Sequence, residues 1–234
     1  MSTLSTFASI TSPYSAAESW AYDKIVGPVL CGFFEEFQDD LLDGIPHGGT
    51  VADVGCGGGH IALLIAQRRG DAVVHGLDLS EEQIERANQR AVRELGDERA
   101  RFVVGDAARL PWEDGSVDVL VSIGSIKHWP DRLAGLRECM RVLADGGRFF
   151  ITETDRGCRF EDMNRFVSRI PLPGPLRFTF RLFYRTYVAG QSLDLAEARD
   201  LFDQLGEATG EVVRTDNGGL LFRGKRVQRG AAEA

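Results

Sequence analysis

The sequence predicts an α/β fold in a single domain: a doubly wound, seven-stranded, mostly parallel sheet that closes with an antiparallel hairpin. Three observations predict it. From Val51 to about Glu153, short β-branched runs alternate with longer amphipathic segments, the pattern of βαβ units with helices on both faces of a sheet. A glycine-rich turn, Gly55-Cys56-Gly57-Gly58-Gly59, follows the first apolar run directly. Near the end, Asp216-Asn217-Gly218-Gly219 separates two strand-like runs in the manner of a hairpin turn.

Each element has its own local reason. Residues 1–48 read as an N-terminal helical cap, where Tyr14, Trp20, Tyr22, Phe33, Phe34 and Phe37 recur at roughly helical spacing, mostly as packing. The first strand is 50–54. Glycines at 55, 57 and 59 let the backbone bend sharply and approach a ligand more closely than a Cβ allows. Helix 59–69 behind them turns its free N–H groups and positive dipole end toward that ligand. Strand 72–77 is followed by helix 80–95, which a Ser80–Gln83 capping box begins. Strands 101–104 and 117–122 come next, then helix 131–142, which Asp145-Gly146-Gly147 stops before strand 147–153. These elements make 49–155 the ligand-binding core.

Beyond it the pattern changes. Pro171, Pro173 and Pro175 stand among Phe160, Phe166, Phe178, Phe180, Phe183, Tyr184 and Tyr187, so 156–190 reads as an insertion over the substrate side of the fold. Helix 194–206 and strands 209–215 and 219–227 complete the domain within 191–227, and 228–234 form a loose tail.

Composition excludes several classes. A formal charge of −8 opposes a broad basic surface for nucleic acid. The first dozen residues carry neither a basic start nor an apolar block, and no apolar run is long enough to span a bilayer, so a cytoplasmic protein with no membrane partner is expected. Cys31, Cys56, Cys139 and Cys158 are scattered without metal-ligand spacing, which predicts four free thiols. Nothing in the sequence speaks to oligomeric state.

Four features fall at successive strand ends. After the first strand, Asp53-Val54-Gly55-Cys56-Gly57-Gly58-Gly59 meets Gly-x-Gly-x-Gly, while His60 stands where a dinucleotide fingerprint needs its third glycine. Asp78 ends the second strand 23 positions after Gly55, where a carboxylate can accept both ribose hydroxyl protons. Gly105-Asp106-Ala107 ends the third, an acid and a backbone N–H suited to the edge of adenine. Ser122 to Trp129 leaves the fourth into a loop at the carboxyl edge, where such folds bind ligands.

On these residues the chain resembles the class I S-adenosylmethionine-dependent methyltransferases, within the ubiquinone/menaquinone and small-molecule methyltransferase-like group. Gly105-Asp106-Ala107 through Leu110-Pro111-Trp112 and the run 143–151 match that family's wording, and the likeness covers about 50–155. It implies a Rossmann-like fold and S-adenosylmethionine as cofactor. It also implies roles: Gly55, Cys56 and Gly57 lining the methionine moiety, Asp53 holding its ammonium group, and Asp78 the ribose. Leu79 and Gln83 would flank the adenine, Asp106 and Ala107 would read its edge, and the Ser122 carbonyl would approach the ammonium group. At Gln83 family members often carry an apolar residue.

Methyl transfer from a sulfonium draws on positioning, and an oxygen or nitrogen acceptor must also shed a proton. His128, just beyond the fourth strand, can take that proton, orient the substrate, or simply bond to backbone. Lys127 beside it reads as a solvated surface charge. Glu153 reads as a salt-bridged acid at a strand end, or as a group facing the substrate. Tyr14, Tyr22, Trp129 and Tyr184 are the candidates for lining a small-molecule acceptor. The stretch 128–132 is similar to the catechol methyltransferases, whose magnesium needs an acid near Ser122; none is there, so no metal is expected. Two rival readings are a catalytically idle S-adenosylmethionine-binding module and a nicotinamide-dependent oxidoreductase, which would share the Asp78 contact.

Overall fold

The computed structural model describes residues 32–96, 98–168, 174, 177 and 189–227. Its strands are β1 (Thr50–Val54), β2 (Val73–Asp78), β3 (Ala100–Val104), β4 (Val117–Ile123), β5 (Leu143–Thr154), β6 (Ala208–Arg214) and β7 (Gly219–Arg226). They form one sheet in the order β3-β2-β1-β4-β5-β7-β6. All pairs from β3 to β5 are parallel, and β7 runs antiparallel to both β5 and β6. The chain builds outward from β1 to β2 and β3, then crosses to β4 on the other side. That reversal opens a crevice at the carboxyl ends of β1 and β4.

The helices are α1 (Gln38–Gly44), α2 (His60–Arg68), α3 (Glu81–Glu94), α4 (Arg132–Val142), α5 (Phe160–Ser168) and α6 (Leu195–Asp203). Because side chains alternate along a strand, the sheet has two cores. Val51, Val74, Val121 and Phe150 face α2 and α3, joined by Phe34 and Leu41 from the N-terminal side. Ala52, Val54, Leu120, Phe149 and Ile151 face α4 and α6 through Leu136, Met140 and Ala198. The Phe37 and Phe150 rings stack at 5.4 Å, so the described part of the aromatic stripe is packing, as its spacing suggests. Tyr14, Trp20 and Tyr22 lie outside the described residues, as do Cys31, Tyr184, most of 169–188 and the 228–234 tail. Cys56, Cys139 and Cys158 form no disulfide among the described residues.

The hairpin stands where its turn sequence puts it, with Arg214 opposite Leu220. Its turn does more than reverse the chain. Asn217 donates its backbone N–H to Glu36 Oε1 at 3.1 Å and its side-chain amide to the Gly32 carbonyl at 3.2 Å.

Two local expectations need correction. Helix α4 ends at Val142 as expected, but β5 begins at Leu143 and not at 147, because Leu143 is already extended and pairs with Val117, so the Asp145-Gly146-Gly147 run is not what stops the helix. Buried Arg226 takes up the Arg141 and Leu143 carbonyls at this helix end, and the Asp-Gly-Gly run becomes an irregularity inside β5, with Gly146 at φ 77°. The Ser80–Gln83 box is half made: Ser80 Oγ accepts the Gln83 N–H at 3.3 Å, but the Gln83 amide returns nothing. The reciprocal box sits instead on α6, between Asp194 and Glu197. Within 156–190 the described residues include a helix, α5, whose Val167 enters the first core.

Candidate functional site

The glycine turn hangs on β2. The N–H groups of Gly55 and Cys56 both donate to the Leu77 carbonyl, at 2.7 and 2.9 Å, which folds the turn back over the sheet edge. Gly55 has φ 78°, and a Cβ there would stand 2.3 Å from the Ser125 Cβ. Only glycine fits both the dihedral and the space. Gly57 donates its N–H to Asp78 Oδ2 at 2.9 Å, tying the turn to the acid at the end of the neighbouring strand. Arg90 of α3 donates to the Gly58 carbonyl, a strap that no local pattern announces.

Two carboxylates flank this turn. Asp53 is 2% exposed, and burial pushes its pKa up to about 7 against the pull of the Ala62 N–H, with Asp78 adding to the rise. Its Oδ2 is buried without a hydrogen-bond partner. Asp78 is also raised by burial, while the Ser80, Gly57 and Leu79 N–H groups pull it back. Each Asp78 oxygen accepts one backbone N–H, from Gly57 or from Ser80, and each keeps a lone pair for a further donor. Cys56 lies between them; burial and the two carboxylates push its thiol well up, so it stays protonated.

Gln83 is 2% exposed on the first turn of α3, and both polar atoms of its amide lack partners. A buried primary amide left so must be explained, since most buried polar groups are paired. Leu79 is 45% exposed beside it. At the end of β3, Asp106 accepts the Ala108 N–H through Oδ1 at 2.9 Å, and Ala107 is buried.

From β4 the chain enters a short 3₁₀ turn, Ile126–His128. Ser122, fully buried, shares a hydrogen bond of 2.7 Å with Ser125, whose hydroxyl also donates to the Val54 carbonyl at 3.1 Å. Ser125 thus joins β4 to β1 directly below Gly55. Reading the sequence missed it, although the Ser-x-x-Ser spacing was there to be read. His128 is half-buried and donates its N–H to the Ser125 carbonyl at 2.9 Å.

Lys127 is not a solvated surface charge. Its ammonium lies 2.8 Å from Glu153 Oε1, with side-chain exposures of 11% and 0%. Burial drives Glu153 up, but the Lys127 charge and hydrogen bond, the Thr154 N–H and His128 together bring it below the usual range. Glu153 is the salt-bridged strand-end acid of the sequence reading. Trp129 is packed into the second core, with its ring so close over Gly135 that a Cβ there would stand 2.4 Å from it.

The structure therefore brings Asp53, Gly55, Cys56, Gly57, Asp78 and Ser122 to one place, with Leu79, Gln83, Asp106 and Ala107 along the β2–β3 side. Among the described residues, no group of three or more His, Cys, Asp and Glu could hold a metal ion, and no helix is long and apolar enough to cross a membrane. A cavity of 390 Å³ lies elsewhere, along β5, β7 and β6 between Arg148, Phe150, Glu211 and Arg223, and none of the predicted site residues lines it.

Comparison with known proteins identifies the family and the fold. A methyltransferase-domain family model matches residues 52–151. The chain is 31% identical over 192 residues to the ubiquinone/menaquinone biosynthesis C-methyltransferase UbiE of Dinoroseobacter shibae, covering 80% of this chain and 70% of that protein. It is 43% identical over 101 residues to the 27-O-demethylrifamycin SV methyltransferase of Amycolatopsis mediterranei, across 43% of this chain and 37% of that one. The match to the methyltransferase GfsG of Streptomyces halstedii likewise spans 38% of its length, so the chain covers little more than a third of these two relatives. Among solved structures, a SAM-dependent methyltransferase from Aquifex aeolicus superposes with a TM-score of 0.63 at 19% identity, over 82% of this chain and 89% of that one. The geranyl diphosphate C-methyltransferase of Streptomyces coelicolor, solved with S-adenosyl-L-homocysteine, gives a TM-score of 0.61 at 19% identity, over 82% and 74%. These two show the same fold.

Proposed function

The chain belongs to the class I S-adenosylmethionine-dependent methyltransferases, and on that footing we propose that it transfers a methyl group from S-adenosylmethionine to a small-molecule acceptor. The observation that carries this reading is the partnerless Asp53 oxygen, buried beside a glycine turn at the reversal of strand order. An ammonium group is the donor it lacks. The free lone pairs on Asp78 suit the two hydroxyls of a ribose, and the unpaired Gln83 amide, a donor and an acceptor together, suits the adenine that Asp106 and Ala107 approach from β3. Gly55, Cys56 and Gly57 line the methionine end, where the two glycines present no Cβ and Cys56 presents a neutral thiol. Leu79 covers the base with apolar surface, and Ser122 closes the site from β4.

When bound, S-adenosylmethionine supplies a methyl group on a sulfonium sulfur that departs as a neutral thioether. The protein's part is to hold the two reactants in line and to remove the acceptor's proton. His128 is the group we assign to that proton, or to orienting the acceptor that carries it. Small-molecule acceptors are supported by the relatives' names, which specify a rifamycin and ubiquinone/menaquinone biosynthesis. Tyr14, Tyr22 and Tyr184 remain proposals for its walls.

Calorimetric titration with S-adenosylhomocysteine, set beside the nicotinamide cofactors, tests the donor. Binding of the first alone is expected; failure to bind it would sink the reading. Labelled S-adenosylmethionine offered to cell extracts then shows which molecule gains the methyl group, and a protein that binds the cofactor yet labels none would be the idle module.

A further inference from the structure

Lys127 and Glu153 form an ion pair in the interior, and such a pair recovers its desolvation cost only through good geometry and further hydrogen bonds. Here those bonds converge on one segment. Glu153 Oε2 accepts the Lys127 backbone N–H at 3.1 Å, while Oε1 accepts the Lys127 ammonium at 2.8 Å. On its own strand Oε1 also accepts the Thr154 N–H at 2.7 Å and hydroxyl at 3.1 Å. The ammonium turns back to donate to the Gly124 carbonyl at 2.8 Å, and the Gly124 N–H continues the ladder to the Thr152 carbonyl at 2.8 Å. Both ends of 124–127 are thereby fastened to β5. Between them sits Ser125, which supports Gly55, and immediately after them comes His128.

We propose that Lys127 and Glu153 are a positioning pair that sets the cofactor side and the acceptor side of the site together, an inference that rests on the methyltransferase reading of Gly55 and His128. Ser125 reaches the glycine turn from the fastened segment, and His128 leaves it toward the acceptor. The pair is also electrically neutral, so it holds the turn without imposing a net charge on the imidazole. The other charged groups next to the turn are engaged elsewhere: Asp131 Oδ1 accepts the Ala134 N–H, and Arg132 reaches the Gln191 carbonyl.

Two variants read the two sides without knowledge of the acceptor. Glu153→Gln leaves the Lys127 cation unbalanced beside His128, and the His128 ring signal, followed by NMR and assigned with His128→Gln, should titrate lower by about half to one pH unit. Lys127→Met releases the Gly124 carbonyl, and S-adenosylhomocysteine should bind about tenfold more weakly in calorimetry, on the scale of one lost charge-assisted hydrogen bond. The proposal is overturned if either variant leaves its readout at the wild-type value. If a single variant does not fold, Lys127→Met with Glu153→Met replaces the pair by apolar groups; weakened binding of S-adenosylhomocysteine is again expected, and wild-type affinity overturns the proposal. A wild-type protein that binds no S-adenosylhomocysteine would instead defeat the cofactor reading, and the His128 titration in Glu153→Gln would then decide the pair alone.

Discussion

Gly55 rests against Ser125: a Cβ on the glycine would come within 2.3 Å of the serine Cβ and 2.4 Å of its hydroxyl oxygen. Two segments 70 positions apart, the turn after β1 and the turn after β4, are therefore packed at backbone distance. Gly55→Ala must either strain a φ of 78° or push the turns apart. Together these should cost about 2–4 kcal/mol in chemical denaturation, and S-adenosylhomocysteine binding should fall with it. Ser125→Gly in the same chain should recover part of the loss, because it removes the obstructing Cβ.

Asp78 offers both oxygens to backbone N–H groups and still has lone pairs for a ligand. Asp78→Ala should weaken S-adenosylhomocysteine binding by about 1.5–3 kcal/mol, the value of hydrogen bonds to a charged group. Calorimetry against the wild type is the measurement, and unchanged affinity would place the ribose elsewhere.

Asp53 couples the site to pH. Burial raises its pKa to about 7 in the folded chain from an ordinary value near 3.8, so between those values the folded state holds a proton that the unfolded state has lost. Stability of the ligand-free protein should therefore decline as pH rises from about 4 to 7 through this group. A cation seated on Asp53 favours its ionised form, so ligand binding should release a proton below pH 7 and tighten as pH rises through it. Titrations in two buffers of different ionisation enthalpy measure that proton directly. Asp53→Asn should flatten both dependences.

The role proposed for His128 is on the acceptor and not on the cofactor. His128→Ala should leave S-adenosylhomocysteine affinity at the wild-type level while methyl transfer to an identified acceptor falls about 10²–10⁴-fold, the range of general-base catalysis. A variant at full speed would leave positioning as the whole of the mechanism.

Phe37 should matter for folding alone. It is 4% exposed and stacked on Phe150, so Phe37→Ala should lower stability by about 3–5 kcal/mol. Cofactor affinity of the fraction that remains folded should not change.

Local pattern was enough for most of the frame. Strands such as Thr50–Val54 and helices such as His60–Arg68 stand within a residue or two of their expected places because apolar periodicity and cap residues act over one element. What the pattern did not reveal depends on partners far along the chain. Leu143 joins β5 because Val117 pairs with it and Arg226 takes its carbonyl. Lys127 is drawn inward by Glu153, 26 positions later, and nothing near Lys127 announces that carboxylate. In the candidate site, Asp53 and Asp78 were legible because each stands at the carboxyl end of a strand, whereas Ser125 and Arg90 reach the glycine turn from neighbouring elements, a relation that exists only once the sheet is assembled.

The place of β7 has a consequence for the order in which the sheet can be completed. It is synthesised after β6 yet lies between β6 and β5, so β6 has no strand to join until β7 has left the ribosome. Until then β5, the longest of the described strands, keeps an open edge that includes Phe149, Phe150 and Ile151, all buried in the finished fold. Such an edge is a template for pairing with another chain. A nascent chain in which β5 is exposed and β7 has not yet paired should therefore depend on chaperones, and it matures when the hairpin zips onto β5.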